Sequence, residues 1–195
     1  MIPRQLILGS TSVYRRAVLE KLHLPFDTAA PNIDETRLEN ESAAAMVQRL
    51  SLGKAQAIAP YHSDALIIGS DQCAVLNEQI LGKPGTHENA IRQLQASSGK
   101  TVRFLTGLCL YDTNSETYQL DLQTYQVTFR ELSAAEIEAY LHKEQPYNCA
   151  GSFKSEGFGI SLFKSMQGDD PNTLIGLPLI RLAEMLRQHG FSIPG

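Results

Sequence analysis

Hydrophobic and polar positions recur along this chain with two different periods, and each period marks a different kind of element. Gln5 to Gly9 (QLILG) is a short apolar run closed by glycine, which predicts a buried strand. Ser10-Thr11-Ser12 follow as N-cap candidates. A helical pattern then runs to about Leu22, with Val18, Leu19 and Leu22 on its inner stripe. Phe26 to Ala29 reads as a second strand, and Pro31 opens a polar loop holding Asp34-Glu35. Ser42 to Ala59 has helical spacing, with Val47, Leu50 and Ile58 on one face. Ala65 to Ile68 is continuously apolar, as in a central strand covered on both faces. It is expected to end in Gly69-Ser70-Asp71-Gln72. Thr86 to Ala96 reads as a short helix with Thr86 as its N-cap.

Further along, the period shortens to two. Val102 to Leu110 and Tyr118 to Phe129 read as long strands joined by the turn residues Asp112 to Ser115, hence an antiparallel hairpin. Tyr125, Val127 and Phe129 should face inward, and Gln126, Thr128 and Arg130 outward. A helix from Ser133 to Lys143 opens with a capping box, Ser133 to Glu136. Pro178 suits the first turn of a last helix that ends before Gly190. This order predicts an α/β fold: an elongated mixed sheet with flanking helices and a central cleft. A length of 195 residues fits a single domain, 1–195, with room for two lobes around the cleft.

Composition narrows the function classes. Hydrophobic residues make up 43% of the chain, enough for a core and too many for a disordered chain. No apolar run approaches bilayer length, and the Met1-Ile2-Pro3-Arg4 start lacks a secretory pattern, so a cytoplasmic protein without a membrane partner is expected. Cys73, Cys109 and Cys149 lie far apart and read as small buried residues. The five histidines are scattered without an HxxxH pair, so any metal is expected on oxygen ligands. A formal net charge of −4 disfavours a stable nucleic-acid partner. A homodimer is compatible with all of this.

Several polar residues sit where a structural role explains them poorly. Lys54 falls seven residues after Val47 and four before Ile58, on the apolar stripe of its helix. It either snorkels at the stripe's edge or points its ammonium into a cleft. Arg15 shares a face with Leu19 and Leu22 in a first turn, where the helix dipole disfavours a cation. A bound phosphate would account for it, with Ser10 and Ser12 as further donors; the alternative is that Arg15 and Arg16 pair with a nearby acid on the surface. Asp71, just past a buried strand, is either a turn residue or a carboxylate for metal or proton chemistry. Gly82-Lys83-Pro84-Gly85 is an exposed lysine loop or an ordinary turn. Asp34-Glu35 and Asp169-Asp170-Pro171-Asn172 are each solvated acids or metal ligands. Together, cations (Arg15, Lys54, Lys83) and carboxylates (Glu35, Asp71) make an inventory for polyphosphate chemistry.

The residues Ser10-Thr11-Ser12-Val13-Tyr14-Arg15-Arg16, Asp34-Glu35, Lys54-Ala55, Gly69-Ser70-Asp71-Gln72, Gly82-Lys83-Pro84, Thr106-Gly107 and Gly176-Leu177-Pro178 occur in the order of the Maf family. The resemblance spans essentially the whole chain. Val13-Tyr14 before Arg15, Gly69-Ser70-Asp71-Gln72 and Ser152-Phe153-Lys154-Ser155-Glu156-Gly157-Phe158-Gly159 look most like its YceF branch. It implies a fold similar to the inosine triphosphatases (Maf/Ham) and a nucleoside triphosphate pyrophosphatase that needs a divalent cation, Mg²⁺ or Mn²⁺. The YceF branch is associated with 7-methyl-GTP and the commoner branch with dTTP and UTP. By resemblance, Asp71 is the proton acceptor, and Tyr14, Gln72 and Glu156 discriminate substrates. Ser12, Arg15, Lys54 and Lys83 hold phosphate, and Glu35 and Asp71 hold metal. Val13 stands where the family usually has proline, which loosens the turn before Tyr14. A nucleotide-sensing regulator of cell division without hydrolysis is the rival of a different class.

Overall fold

The structure is a computed structural model describing residues 4–194. Met1-Ile2-Pro3, read above as the start of the chain, and Gly195 lie outside the described residues. Among the described residues, seven strands form one mixed sheet: β1 (Gln5–Leu8), β2 (Asp27–Thr28), β3 (Ala65–Leu76), β4 (Gln79–Leu81), β5 (Thr101–Asp112), β6 (Thr117–Phe129) and β7 (Phe163–Gln167). Their order is β2-β1-β3-β5-β6-β7, with β4 paired to β3. β1 runs parallel to β2 and to β3, whereas β4 lies antiparallel to β3 and β7 antiparallel to β6. β5 and β6 are neighbours joined by residues 113–116 alone, a link only an antiparallel pair permits. The helices are α1 (Val13–Leu19), α2 (Ala43–Ile58), α3 (His87–Ser97), α4 (Ala134–Glu144), α5 (Asn172–Ile175) and α6 (Leu179–Gln188). The expected α/β class with a mixed sheet and flanking helices is the one observed.

The chain divides into two compact units. The first runs from the amino-terminal segment through Gln72 and adds Thr106–Gln123 and the segment from Asp170 on. Its strands bury both faces, as the period of two demands. Leu6, Leu8, Leu66, Ile68, Leu108 and Leu110 pack with Val18 and Leu19 of α1 and Leu182, Met185 and Leu186 of α6. The alternate residues Ile7, Ala65, Ile67 and Cys109 pack with Ala55 and Ile58 of α2. Each fully buried Leu or Ile contributes about 1.5–3 kcal/mol. Arg4 closes one edge, giving 2.6 Å and 2.7 Å bonds to Asp112 and one of 2.9 Å to Asp64.

The second unit comprises Cys73–Leu105 and Thr124–Asp169. Its core holds the rings of Phe104, Phe129, Phe153 and Phe163 in edge-to-face contacts with centroids 4.8 to 5.5 Å apart. α3 starts on the Thr86 cap and α4 on the Ser133–Glu136 capping box, both as the sequence predicts. Tyr125, Val127 and Phe129 are buried, while Gln126 and Arg130 are exposed.

Several boundaries differ from expectation. β3 does not end at Ile68; it continues through Gly69-Ser70-Asp71-Gln72 to Leu76. α1 is only seven residues long, and a 3₁₀ turn over Glu20–Leu22 completes the segment. β2 shrinks to two residues, and Pro178 stands at the N-cap of α6 rather than inside its first turn.

Candidate active site

The continuation of β3 beyond Ile68 builds the site. Alternation puts Gly69 and Asp71 on the α2 side, and Ser70 and Gln72 on the other. Asp71 is therefore neither a turn residue nor a residue past a strand end, as the sequence suggested; it is a strand residue. Two glycines let α2 come close enough to reach it. A Cβ on Gly69 would lie 2.0 Å from the Ser51 carbonyl oxygen, and one on Gly107 would lie 2.3 Å from the Val47 oxygen. Only a residue without Cβ fits either position. The close approach lets the buried Ser51 hydroxyl accept the Asp71 N–H at 2.9 Å while donating to the Val47 carbonyl at 2.6 Å.

One turn further along α2, Lys54 meets the Asp71 carboxylate. Its Nζ lies 2.7 Å from Asp71 Oδ1 and 2.8 Å from Glu35 Oε1. The Lys54 and Asp71 side chains are only 6% and 11% exposed, whereas Glu35 is 57% exposed. The stripe position of Lys54 thus marks a buried ion pair and not a snorkelling lysine. Such a pair is weak evidence for stability, because desolvation offsets its attraction. An apolar pair would fill the same space without that cost. Removing one partner alone strands a buried charge, at about 3–5 kcal/mol.

On the opposite side of β3, a second set of bonds surrounds Gly176. The Ser70 hydroxyl donates toward the carbonyls of Gly107 and Gly176, at 2.9 and 2.8 Å. Arg15 Nε donates to the same Gly176 carbonyl at 2.8 Å. Gly176 adopts φ +108°, which closes α5 and turns this carbonyl toward its donors. Burial pushes the Arg15 guanidinium below its ordinary value, while the carboxylates of Asp71 and Glu35 pull the other way. The surface-pair alternative holds for Arg16, which meets Glu20 at 3.2 Å, and not for Arg15. Ser12 caps α1, its hydroxyl accepting the Arg15 N–H at 3.3 Å, and Ser10 accepts the Ser12 N–H at 3.1 Å. Tyr14 is 42% exposed.

Gln72 is held on this second side. Its amide nitrogen donates to Thr106 Oγ1 at 2.9 Å and to the carbonyls of Thr173 and Leu174 at 2.6 and 3.2 Å. Both N–H groups of the Gln72 side-chain amide are engaged by these partners. In the second unit, Lys83 is exposed between β4 and α3. Glu156 is exposed on the 154–158 loop, where Ser155 Oγ donates to it at 3.2 Å. Glu144 at the end of α4 steadies that loop, accepting the Phe158 N–H at 2.8 Å and facing Lys154 Nζ at 3.4 Å.

Sequence reasoning gave no role to Ser51, Thr106 and Glu144, and left that of Asp170 open. Ser51 left a signal, since it lies on the same helical stripe as Lys54. Asp170, read as either solvated or a metal ligand, is not solvated. It is 4% exposed and accepts from Asn172 N and Nδ2 and from Ile180 N, at 2.7 to 2.8 Å. It ties the α5 segment to the start of α6.

Lys54 of α2 thus stands between the carboxylates of Asp71 on β3 and Glu35 in the loop before α2, and comparison with known proteins gives the family. The profile described as "Maf-like protein" matches residues 5–189, and the chain belongs to that family. A relative from Colwellia psychrerythraea named 7-methyl-GTP pyrophosphatase is 54% identical over 97% of this chain and 95% of its own. Relatives of the same name from Pseudomonas syringae pv. syringae and Alcanivorax borkumensis are 54% and 55% identical, each over 97% of this chain and over 98% and 96% of their own. Among solved structures, the Staphylococcus aureus Ham1 protein is similar with a TM-score of 0.46 and 12% identity, covering 65% of this chain and 72% of that one. No helix among the described residues is long and apolar enough to cross a membrane.

Proposed function

We propose that this Maf-family chain is a hydrolase acting on acid anhydrides that cleaves 7-methyl-GTP to 7-methyl-GMP and pyrophosphate. The observation that carries the reading is the buried Lys54 ammonium shared by Asp71 and Glu35. The fold gains little from that arrangement, so chemistry is the better account of it. The names of the relatives, near-full-length and more than half identical, support the substrate.

In this reading, water attacks the α-phosphorus and the α–β anhydride bond breaks. The proton of water passes to Asp71 Oδ2, because Oδ1 is engaged by Lys54. Lys54 and Arg15 meet the charge of the triphosphate, and the Ser12 hydroxyl gives a further bond. Asp71 and Glu35 would hold the divalent cation. Their carboxylate oxygens suit Mg²⁺ or Mn²⁺, and both already converge on one cationic group. When bound, that ion supplies neutralisation of the phosphate oxygens. The exposed Tyr14 is assigned the methylated guanine, whose ring charge gains a cation–π contribution on an aromatic face. Glu156 is assigned the guanine N–H groups and Lys83 a phosphate. The reading places the enzyme in the cytoplasm, without a stable nucleic-acid partner for a chain of net charge −4.

The test is turnover of 7-methyl-GTP, GTP, dTTP and UTP with Mg²⁺ or Mn²⁺, scored by pyrophosphate release. The reading expects 7-methyl-GTP to lead. A lead for dTTP or UTP would replace the substrate, and no release from any of the four would remove the activity.

A further inference from the structure

Two of the five histidines scattered in the sequence, His87 and His142, come together within the second unit. His87 opens α3, and Glu138 and His142 stand one turn apart on α4. His87 Nε2 lies 3.1 Å and His142 Nε2 3.6 Å from the same oxygen, Glu138 Oε1. The two imidazole rings are 5.3 Å apart, and one ligand atom from each residue falls within a 4.8 Å span. On the other edge of its ring, His87 Nδ1 pairs with Tyr147 Oη at 2.9 Å.

We propose that His87, Glu138 and His142 form a binding site for a transition-metal ion of the Zn²⁺ class. Two imidazoles and one carboxylate are a donor set that Zn²⁺, Co²⁺ and Ni²⁺ accept and Mg²⁺ does not favour. Ligand atoms around a tetrahedral zinc stand about 3.3 Å apart, given metal–ligand bonds near 2.0–2.1 Å. The two distances to Glu138 already bracket that spacing. His142 is 70% exposed, so its ring is free to complete the third edge by rotation. The Tyr147 hydroxyl holds the His87 ring by its distal nitrogen, as an outer partner does for a metal-bound histidine. Three protein ligands leave a fourth position for water. This site is separate from Asp71 and Glu35 in both residues and donor chemistry. A bound ion would staple α3 to α4. It would also stiffen the Lys83 loop, because the Gly85 N–H is bonded to the Tyr147 carbonyl at 3.0 Å.

The test is a Co²⁺ titration of the full chain in Mg²⁺-free buffer, followed by visible absorption, with Zn²⁺ as competitor. One equivalent should give the bands of a tetrahedral or five-coordinate site, and Zn²⁺ should abolish them. Asp71→Asn should keep the bands. His142→Ala and Glu138→Gln, both at partly or largely exposed positions, should lose them. Tyr147→Phe should weaken Co²⁺ binding about ten-fold or more. The absence of bands in the parent protein would overturn the proposal. So would bands that survive in both His142→Ala and Glu138→Gln, or bands lost in Asp71→Asn.

Discussion

Gly69→Ala puts the greatest demand on the contact between α2 and β3. The added methyl would sit 2.0 Å from the Ser51 carbonyl oxygen and 3.1 Å from its carbon. Both atoms are backbone, so no rotamer change relieves the clash. Restoring ordinary contact requires α2 to withdraw by about 1.4 Å. A shift of that size takes the 2.9 Å Ser51–Asp71 bond and the 2.7 Å Lys54–Asp71 bond beyond hydrogen-bonding length. Overpacking costs about 1–3 kcal/mol, and the stranded N–H of Asp71 adds a similar amount. A total of about 3 kcal/mol should appear as a lower urea midpoint followed by circular dichroism. Turnover should drop by about 10²-fold in the molecules that remain folded, the usual cost of a misplacement near 1 Å. Gly107→Ala, whose Cβ would meet Val47 O at 2.3 Å, should behave alike. A Gly69→Ala protein with parental midpoint and turnover would refute the claim that α2 rests on this strand.

Lys54→Met removes the cation from a buried carboxylate and should cost about 3–5 kcal/mol in urea unfolding, more than Asp71→Asn, which leaves Lys54 with Glu35. Gly176→Ala forces a side chain onto φ +108° and places Cβ 3.2 Å from Arg15 Nε. It should cost about 1–3 kcal/mol and raise KM by loosening Arg15. The Arg4 guanidinium holds the Asp112 carboxyl well below its ordinary range. A carboxyl depressed in the folded state contributes stability above its unfolded value, about 3.9, and loses it as pH falls further. The urea midpoint should therefore drop with acid below about pH 4, and drop less in Asp112→Asn. Ser133→Ala should cost about 1 kcal/mol by removing the α4 capping box, with turnover unchanged.

Helices α2, α3 and α4 were legible in the sequence because their caps and stripes agree: Ser42, Thr86 and Ser133 each accept the N–H three residues on. Lys54 was legible for the same reason, as a charge in an apolar row. The extent of β3 was not. Gly69-Ser70-Asp71-Gln72 reads as a turn because glycine and polar side chains normally punctuate strands. Here each polar residue of that run finds a partner: Ser51 and Lys54 on one side, Gly176, Thr106 and Thr173 on the other. Those partners come from segments as far as 106 positions away, which local pattern does not report. Asp170 and the His87–Glu138–His142 group were hidden for the same reason. Their meaning lies in what the fold brings beside them.

The central claim is that Asp71 takes the proton when the anhydride is cut. Its most direct measurement is pyrophosphate release from 7-methyl-GTP by Asp71→Asn, with the fold checked by circular dichroism. A folded variant slowed by about 10²-fold or more is the predicted result. A folded variant that turns over at close to the parental rate would contradict it.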